Sequence, residues 1–168
     1  ITPITVKTRQ GEVIIAEDES AMNASIDKIP RLKPAFDPNG TVTAANSSSI
    51  ADGAAALLLM EESEAKKRNL KPLARIVGHA THSQEPEWFT TAPIHAIKKL
   101  LEKIKWDKRS IDLYEINEAF AVVTMAAMKE LDLPPEKVNV HGGACALGHP
   151  IGASGARILV TLLYALKK

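Results

Sequence analysis

The sequence predicts an α/β fold with helices lying between sheets, on three observations. After residue 50, strand-like and helix-like stretches alternate in regular order. Two helical stretches, near 118–131 and 153–166, are apolar around most of their circumference, so each must be covered on two faces. The run 54–60 is apolar without alternation, as in a strand buried on both sides.

Taken in order, Ile4, Val6 and Thr8, then Val13 and Ile15 beyond a Gln10-Gly11 turn, predict a hairpin. Residues 17–40 are polar and broken by Pro30, Pro34 and Pro38, which predicts an extended, loop-rich segment. The Ser47-Ser48-Ser49 run offers a cap for a short helix through Gly53. A strand over 54–60, a charged helix over 61–69 and a strand over 74–80 follow. After a loop holding Pro86 and Pro93, an amphipathic helix near 94–104 turns its lysines to water. Strands at 112–116 and 138–140 flank the helix of 118–131, and the helix of 153–166 closes the chain.

Composition narrows the functional classes. The 168 residues are 45% hydrophobic and 24% charged, values of a globular chain with a sizeable core. A net charge of +1 provides no basic field for duplex nucleic acid, and 4% aromatic content argues against stacking platforms for single strands. The longest apolar run, 158–166, is too short to span a bilayer, so no membrane partner is expected. The single Cys145 excludes an internal disulfide and any multi-cysteine metal site. It fits a reducing compartment, expected to be cytoplasmic, with an organelle left open. An opening on Ile1 rather than methionine reads as a piece excised from a longer protein.

Chemistry concentrates in residues 142–157, GGACALGHPIGASGAR. Gly142, Gly143, Gly148, Gly152 and Gly155 suit backbone that approaches a substrate closely. Pro150 restricts His149 to extended backbone and so aims its imidazole, which makes His149 the candidate catalytic residue; the alternative is a ring satisfied inside a helix-entry turn. Asn117 follows a strand at its carboxyl end, where α/β ligand sites gather. It could cap the next helix, hold a water against an oxyanion, or both. Cys145 lies four residues before His149 but reads as a small buried hydrophobe, since the intervening turn gives no reason for the two side chains to converge. His79 and His82 have an i, i+3 spacing without a matching third ligand, and a strand would point them to opposite faces; no metal site is expected there. His95 and His141 read as surface or loop residues, and Lys28, Arg31 and Lys33 as a solvated face. Trp88, Phe89 and Phe120 suit either core or substrate wall.

Three blocks in order resemble the thiolases, over essentially the whole chain. They are Gly40–Asn46 (GTVTAAN) continuing through Asp52-Gly53-Ala54-Ala55-Ala56, then Asn117-Glu118-Ala119-Phe120, then the glycine-rich block. The related ketoacyl synthases also place a histidine before a glycine-rich helix, but lack the Asn-Glu-Ala-Phe block and the His-Pro step. The resemblance implies a layered α/β/α/β/α fold. Residues 1–48 would end the loop domain, 49–71 the N-terminal domain, and 72–168 would form a C-terminal domain cut before its final strands. It implies reversible acetyl transfer between coenzyme A thioesters, as in the short-chain acetyl-coenzyme A acetyltransferases, by a homo-oligomer needing no further cofactor.

Carried over by position, His149 matches the histidine that deprotonates the nucleophilic cysteine and donates to the thioester oxygen, and Asn117 the asparagine that holds a water in the same oxyanion hole. Ser48 matches a contact to the pantetheine arm, Lys28 a lysine near the nucleotide end, and Phe89 a specificity position; Phe120 is a further candidate substrate contact on its own chemistry. The mitochondrial acetoacetyl type binds potassium through main-chain carbonyls at positions matching Ala44, Ala45, Ser47 and Cys145. Neither family cysteine has a counterpart: Cys145 falls where the family has isoleucine or valine. The resemblance therefore implies that these 168 residues alone are inert, thioester exchange needing a thiolate. A non-catalytic assembly or lipid-binding module of the same fold is the rival expectation.

Overall fold

The structure, a computed structural model, describes residues 2–168. The chain divides into two units, one ending at Ala45 and one running from Asn46 to Lys168. The first unit opens on the expected hairpin. Strands β1 (Ile4–Thr8) and β2 (Gly11–Ile15) pair antiparallel in a register that sets Thr8 opposite Gly11. Gly11 enters β2 at φ +125°, a value open to glycine, while the Thr8 hydroxyl donates to the Gly11 carbonyl at 2.8 Å. The segment read as extended loop is more ordered than expected. It holds a one-turn helix, α1 (Glu19–Met22), capped by Asp18, and a 3-10 helix over Ile26–Arg31. Lys28, Arg31 and Lys33 are exposed there.

The second unit contains α2 (Glu62–Lys67), α3 (Ala92–Ile104), α4 (Ala121–Leu131), α5 (Ala144–Leu147) and α6 (Ser154–Ala165). Its core is built where α3 and α4 meet the segments around 114–116 and 131–138. Ile94, Tyr114, Ile116, Val123, Ala127, Leu131, Leu133 and Val138 are buried together there. Left-handed residues end both helices: Lys105 at φ 58° after α3 and Asp132 at φ 51° after α4. In each case the chain folds back to the last turn, Trp106 N–H to Leu101 and Leu133 N–H to Met128.

The strand expectations need correction. Residues 54–60 and 74–80 form no strand, and Leu58 and Ile76 are 81% and 67% exposed. A strand exists only through a hydrogen-bonded partner, and no described residue supplies a ladder to either run. The expected strands at 112–116 and 138–140 reduce to one parallel bridge, Tyr114 with Val138. Nor are α4 and α6 covered on two faces within this unit. Met125 on α4 is 62% exposed, and α6 buries only Ser154. The serine run caps no helix, because its backbone is used across to two distant loops, as described next. Among the described residues no helix is long and apolar enough to cross a membrane.

Candidate active site

Residues 47–50 are the common strut of the site. On one side Ser47 forms an antiparallel bridge with Phe120, and Ser48 gives both its N–H and its hydroxyl to the Ala119 carbonyl, at 3.1 and 2.9 Å. On the other, the Ser49 carbonyl accepts the His149 N–H at 2.8 Å and Ile50 forms a parallel bridge with His149. One four-residue segment thus fastens the Asn117 loop and the His149 loop side by side, across more than 70 residues of sequence.

Glycine makes this approach possible. Gly148 sits at φ 87°, ψ 165°, and a Cβ there would lie 2.6 Å from the Ala51 Cβ. A Cβ on Gly53 would lie 2.7 Å from the Pro150 ring. The imidazole of His149 is half-buried, and its Nδ1 lies 2.7 Å from the hydroxyl of buried Ser154. Position and aim of the ring are therefore both set, the first by backbone and the second by Ser154.

Asn117 is not a helix cap. Helix α4 begins at Ala121, with Phe120 at its cap position and no side-chain bond there. The Asn117 side chain is left for another purpose, and its Oδ1 is buried without a hydrogen-bond partner among the described residues. A buried amide oxygen without a donor costs about 1–3 kcal/mol. Such an atom calls for a hydrogen-bond partner that the described residues do not supply, as do Glu115 Oε2, Thr124 Oγ1 and two Arg157 nitrogens.

The neighbouring Glu118, legible in sequence only as part of the Asn-Glu-Ala-Phe block, ties the Asn117 loop to two other segments. Its carboxylate accepts from Asn139 Nδ2 at 2.8 Å and from the Cys145 N–H at 3.1 Å. Asn139 stands at φ 46°, and its side-chain amide exchanges two 2.8 Å bonds with the backbone of Ile116. The amide thereby continues the Tyr114–Val138 pairing where the main chain turns away. A Cβ on Gly143 would fall 2.1 Å from the Glu118 carboxyl carbon, so only glycine covers this clasp. The signal available in sequence was the Gly142-Gly143 pair, although nothing local names its acidic partner.

Cys145 is free and half-buried. Burial first, then the neighbouring Glu118 charge, pushes its thiol up to about 11. At neutral pH the group is held as the thiol, which is the unreactive form. Iodoacetamide at neutral pH is therefore expected to leave Cys145 unmodified in folded protein and to alkylate it in denaturant, as read by intact mass. Rapid alkylation of the folded chain would contradict this environment. Burial likewise raises the Glu115 carboxyl, with Arg157 partly offsetting the shift.

The other candidates separate. Phe120 packs against the core, whereas Trp88 and Phe89 are exposed on a 3-10 helix, Pro86–Thr91, and belong to no core. That helix is fastened by Gln84, whose amide nitrogen reaches the Trp88 carbonyl and the Thr91 hydroxyl. His82 does not pair with His79: its ring stacks on His95 at 4.6 Å and its Nε2 donates to Gln84. His95 and His141 are exposed, as expected. Lys28 lies in the first unit, and the carbonyls implied for potassium are divided, Ala44 and Ala45 in the first unit, Ser47 and Cys145 in the second.

Known proteins resemble the chain over nearly its whole length. Residues 1–63 match the family model of the thiolase N-terminal domain, and residues 70–168 that of the C-terminal domain. A "probable acetyl-CoA acyltransferase" of Staphylococcus aureus is 51% identical over 168 residues, which cover 99% of this chain and 43% of that protein. Among solved structures, the Bacillus anthracis acetyl-CoA acetyltransferase superposes with a TM-score of 0.91 at 49% identity, over 99% of this chain and 43% of that one. Human mitochondrial 3-ketoacyl-CoA thiolase gives 0.87 at 41% identity, over 98% and 42% respectively. The chain spans less than half the length of these relatives, and the expected α/β class is theirs. With both domain models matched in order, the chain belongs to the thiolase family.

Proposed function

We propose that the protein containing this chain is an acetyl-coenzyme A acetyltransferase, joining two acetyl thioesters to acetoacetyl-coenzyme A and free coenzyme A, or running the reverse thiolysis. The observation that carries this reading is the strut, which sets His149 beside the Asn117 loop whose amide oxygen lacks a donor. In that protein residues 1–48, 49–71 and 72–168 would divide among the loop, N-terminal and C-terminal domains, and a homo-oligomer is the expected assembly.

The first half-reaction needs a thiolate from outside these 168 residues, since Cys145 is their sole cysteine and its proton is held. His149 takes the thiol proton and passes it to the departing coenzyme A sulfur as the acyl group moves to the cysteine. In the second, a base removes a proton from the methyl of another acetyl thioester, and the enolate carbon attacks the acyl-enzyme and expels the cysteine sulfur. The ring Nε2–H of His149 and a water held on Asn117 Oδ1 stabilise the enolate and thioester oxygens. Each such donor is worth roughly 2.7–4 kcal/mol. Ser48 could meet the pantetheine arm through its hydroxyl oxygen, the hydroxyl proton being committed to Ala119. Lys28 and Phe89 keep the roles that the resemblance implies, near the nucleotide and the acyl group.

Mass spectrometry after incubation with acetyl-coenzyme A tests the division of labour. The full-length protein is expected to gain one acetyl group on a cysteine outside this chain, and the 168-residue chain none. Stable acetylation of Cys145 would overturn the assignment of the nucleophile.

A further inference from the structure

The hydroxyl of Ser154 has two possible acceptors and one proton. It lies 2.7 Å from His149 Nδ1 and 3.1 Å from the Pro150 carbonyl. That carbonyl already accepts the N–H groups of Ala153 and Ser154 at 2.7 and 2.8 Å. A carbonyl oxygen has two lone pairs, so the third bond is the weakest of the three and does not lock the hydroxyl. Serine is also buried here, at 4% exposure, which limits competition from bulk water.

The geometry points to Ser154 as a positioning residue that lets His149 serve as both proton acceptor and oxyanion donor. This rests on the functional reading given above, which asks both roles of one ring. As a donor, the neutral ring carries its proton on Nε2, and Nδ1 needs a hydrogen bond donated to it. Ser154 supplies that bond. As a base, the ring presents an unprotonated Nε2 and carries its proton on Nδ1, which needs an acceptor. Ser154 meets this state by turning its own proton to the Pro150 carbonyl and offering its oxygen. When Nε2 takes the thiol proton, the cation keeps Nδ1–H on the serine oxygen until Nε2 returns its proton to the leaving sulfur. A carboxylate at this place would accept only and hold one tautomer, as in catalytic triads. A hydroxyl serves both states at the cost of one rotation.

The test uses the full-length protein, with ring nitrogens of His149 observed by ¹⁵N NMR and turnover measured alongside. Wild type is expected to show both His149 nitrogens at shifts between the protonated and unprotonated limits, reporting exchange between tautomers. Ser154→Ala should move them toward one tautomer and lower kcat roughly 10- to 100-fold, the loss of a hydrogen bond to a charged ring, with KM little changed. Ser154→Thr, which keeps the hydroxyl, should restore both readouts. Unchanged nitrogen shifts in Ser154→Ala would overturn the proposal, as would a KM effect without a kcat effect. A full-length wild type without acetyl transfer would instead defeat the functional reading, while the nitrogen shifts would still decide the role of Ser154.

Discussion

Replacing His149 by alanine in the full-length protein is expected to lower turnover by at least about 10²-fold in both directions. The ring is asked to move a proton in one half-reaction and to donate to an oxyanion in the other, so its loss strikes both. Substrate binding should suffer much less, because the backbone around the ring stays fixed. The His149 N–H bond to Ser49 and the bridge to Ile50 are main-chain features that alanine retains. Steady-state kinetics of the purified variant, with circular dichroism to confirm its fold, provides the check. Near-normal kcat would end the assignment of this histidine.

Gly148→Ala is the second change with a large expected effect, and it acts through geometry rather than chemistry. The backbone of Gly148 at φ 87°, ψ 165° is a region essentially closed to other residues. The added methyl would also meet the Ala51 Cβ at 2.6 Å, an atom with no flexible stem on which to retreat. Each of these costs is about 1–3 kcal/mol. The strain is relieved by parting residues 148–149 from Ala51 and the adjoining strut, which moves the imidazole. A displacement of ~1 Å is enough to lower turnover roughly 10²-fold. A melting temperature lowered by several degrees, together with that loss of kcat, is the expected result. Wild-type stability would show that the strut does not press on Gly148.

What could be read in advance follows the range of the interactions involved. Helix α3 was legible because its apolar spacing is local, and α4 and α6 because each is a long, nearly unbroken apolar stretch. The hairpin was legible because Ile4 and Val6 alternate with polar neighbours before a local turn. The constrained backbone at His149 was legible because Pro150 and the glycines beside it act within a few residues. Elements that depend on remote partners were not. Apolar composition alone made 54–60 and 74–80 look like buried strands, yet a ladder is a property of two segments. Ser47 to Ser49 looked like a cap because serine caps helices locally, while here its bonds go to residues 119, 120 and 149. Asn117 looked equally like a cap, and the structure places the start of α4 four residues later. The Glu118 clasp spans 21 and 27 residues to Asn139 and Cys145, which no local pattern announces.

A high-resolution crystal structure of the full-length protein bound to acetyl-coenzyme A examines the convergence of the two loops most directly. The thioester oxygen is expected about 3 Å from His149 Nε2 and from a water that donates to Asn117 Oδ1. A thioester seated away from both groups, with Asn117 Oδ1 bonded to protein alone, would contradict it.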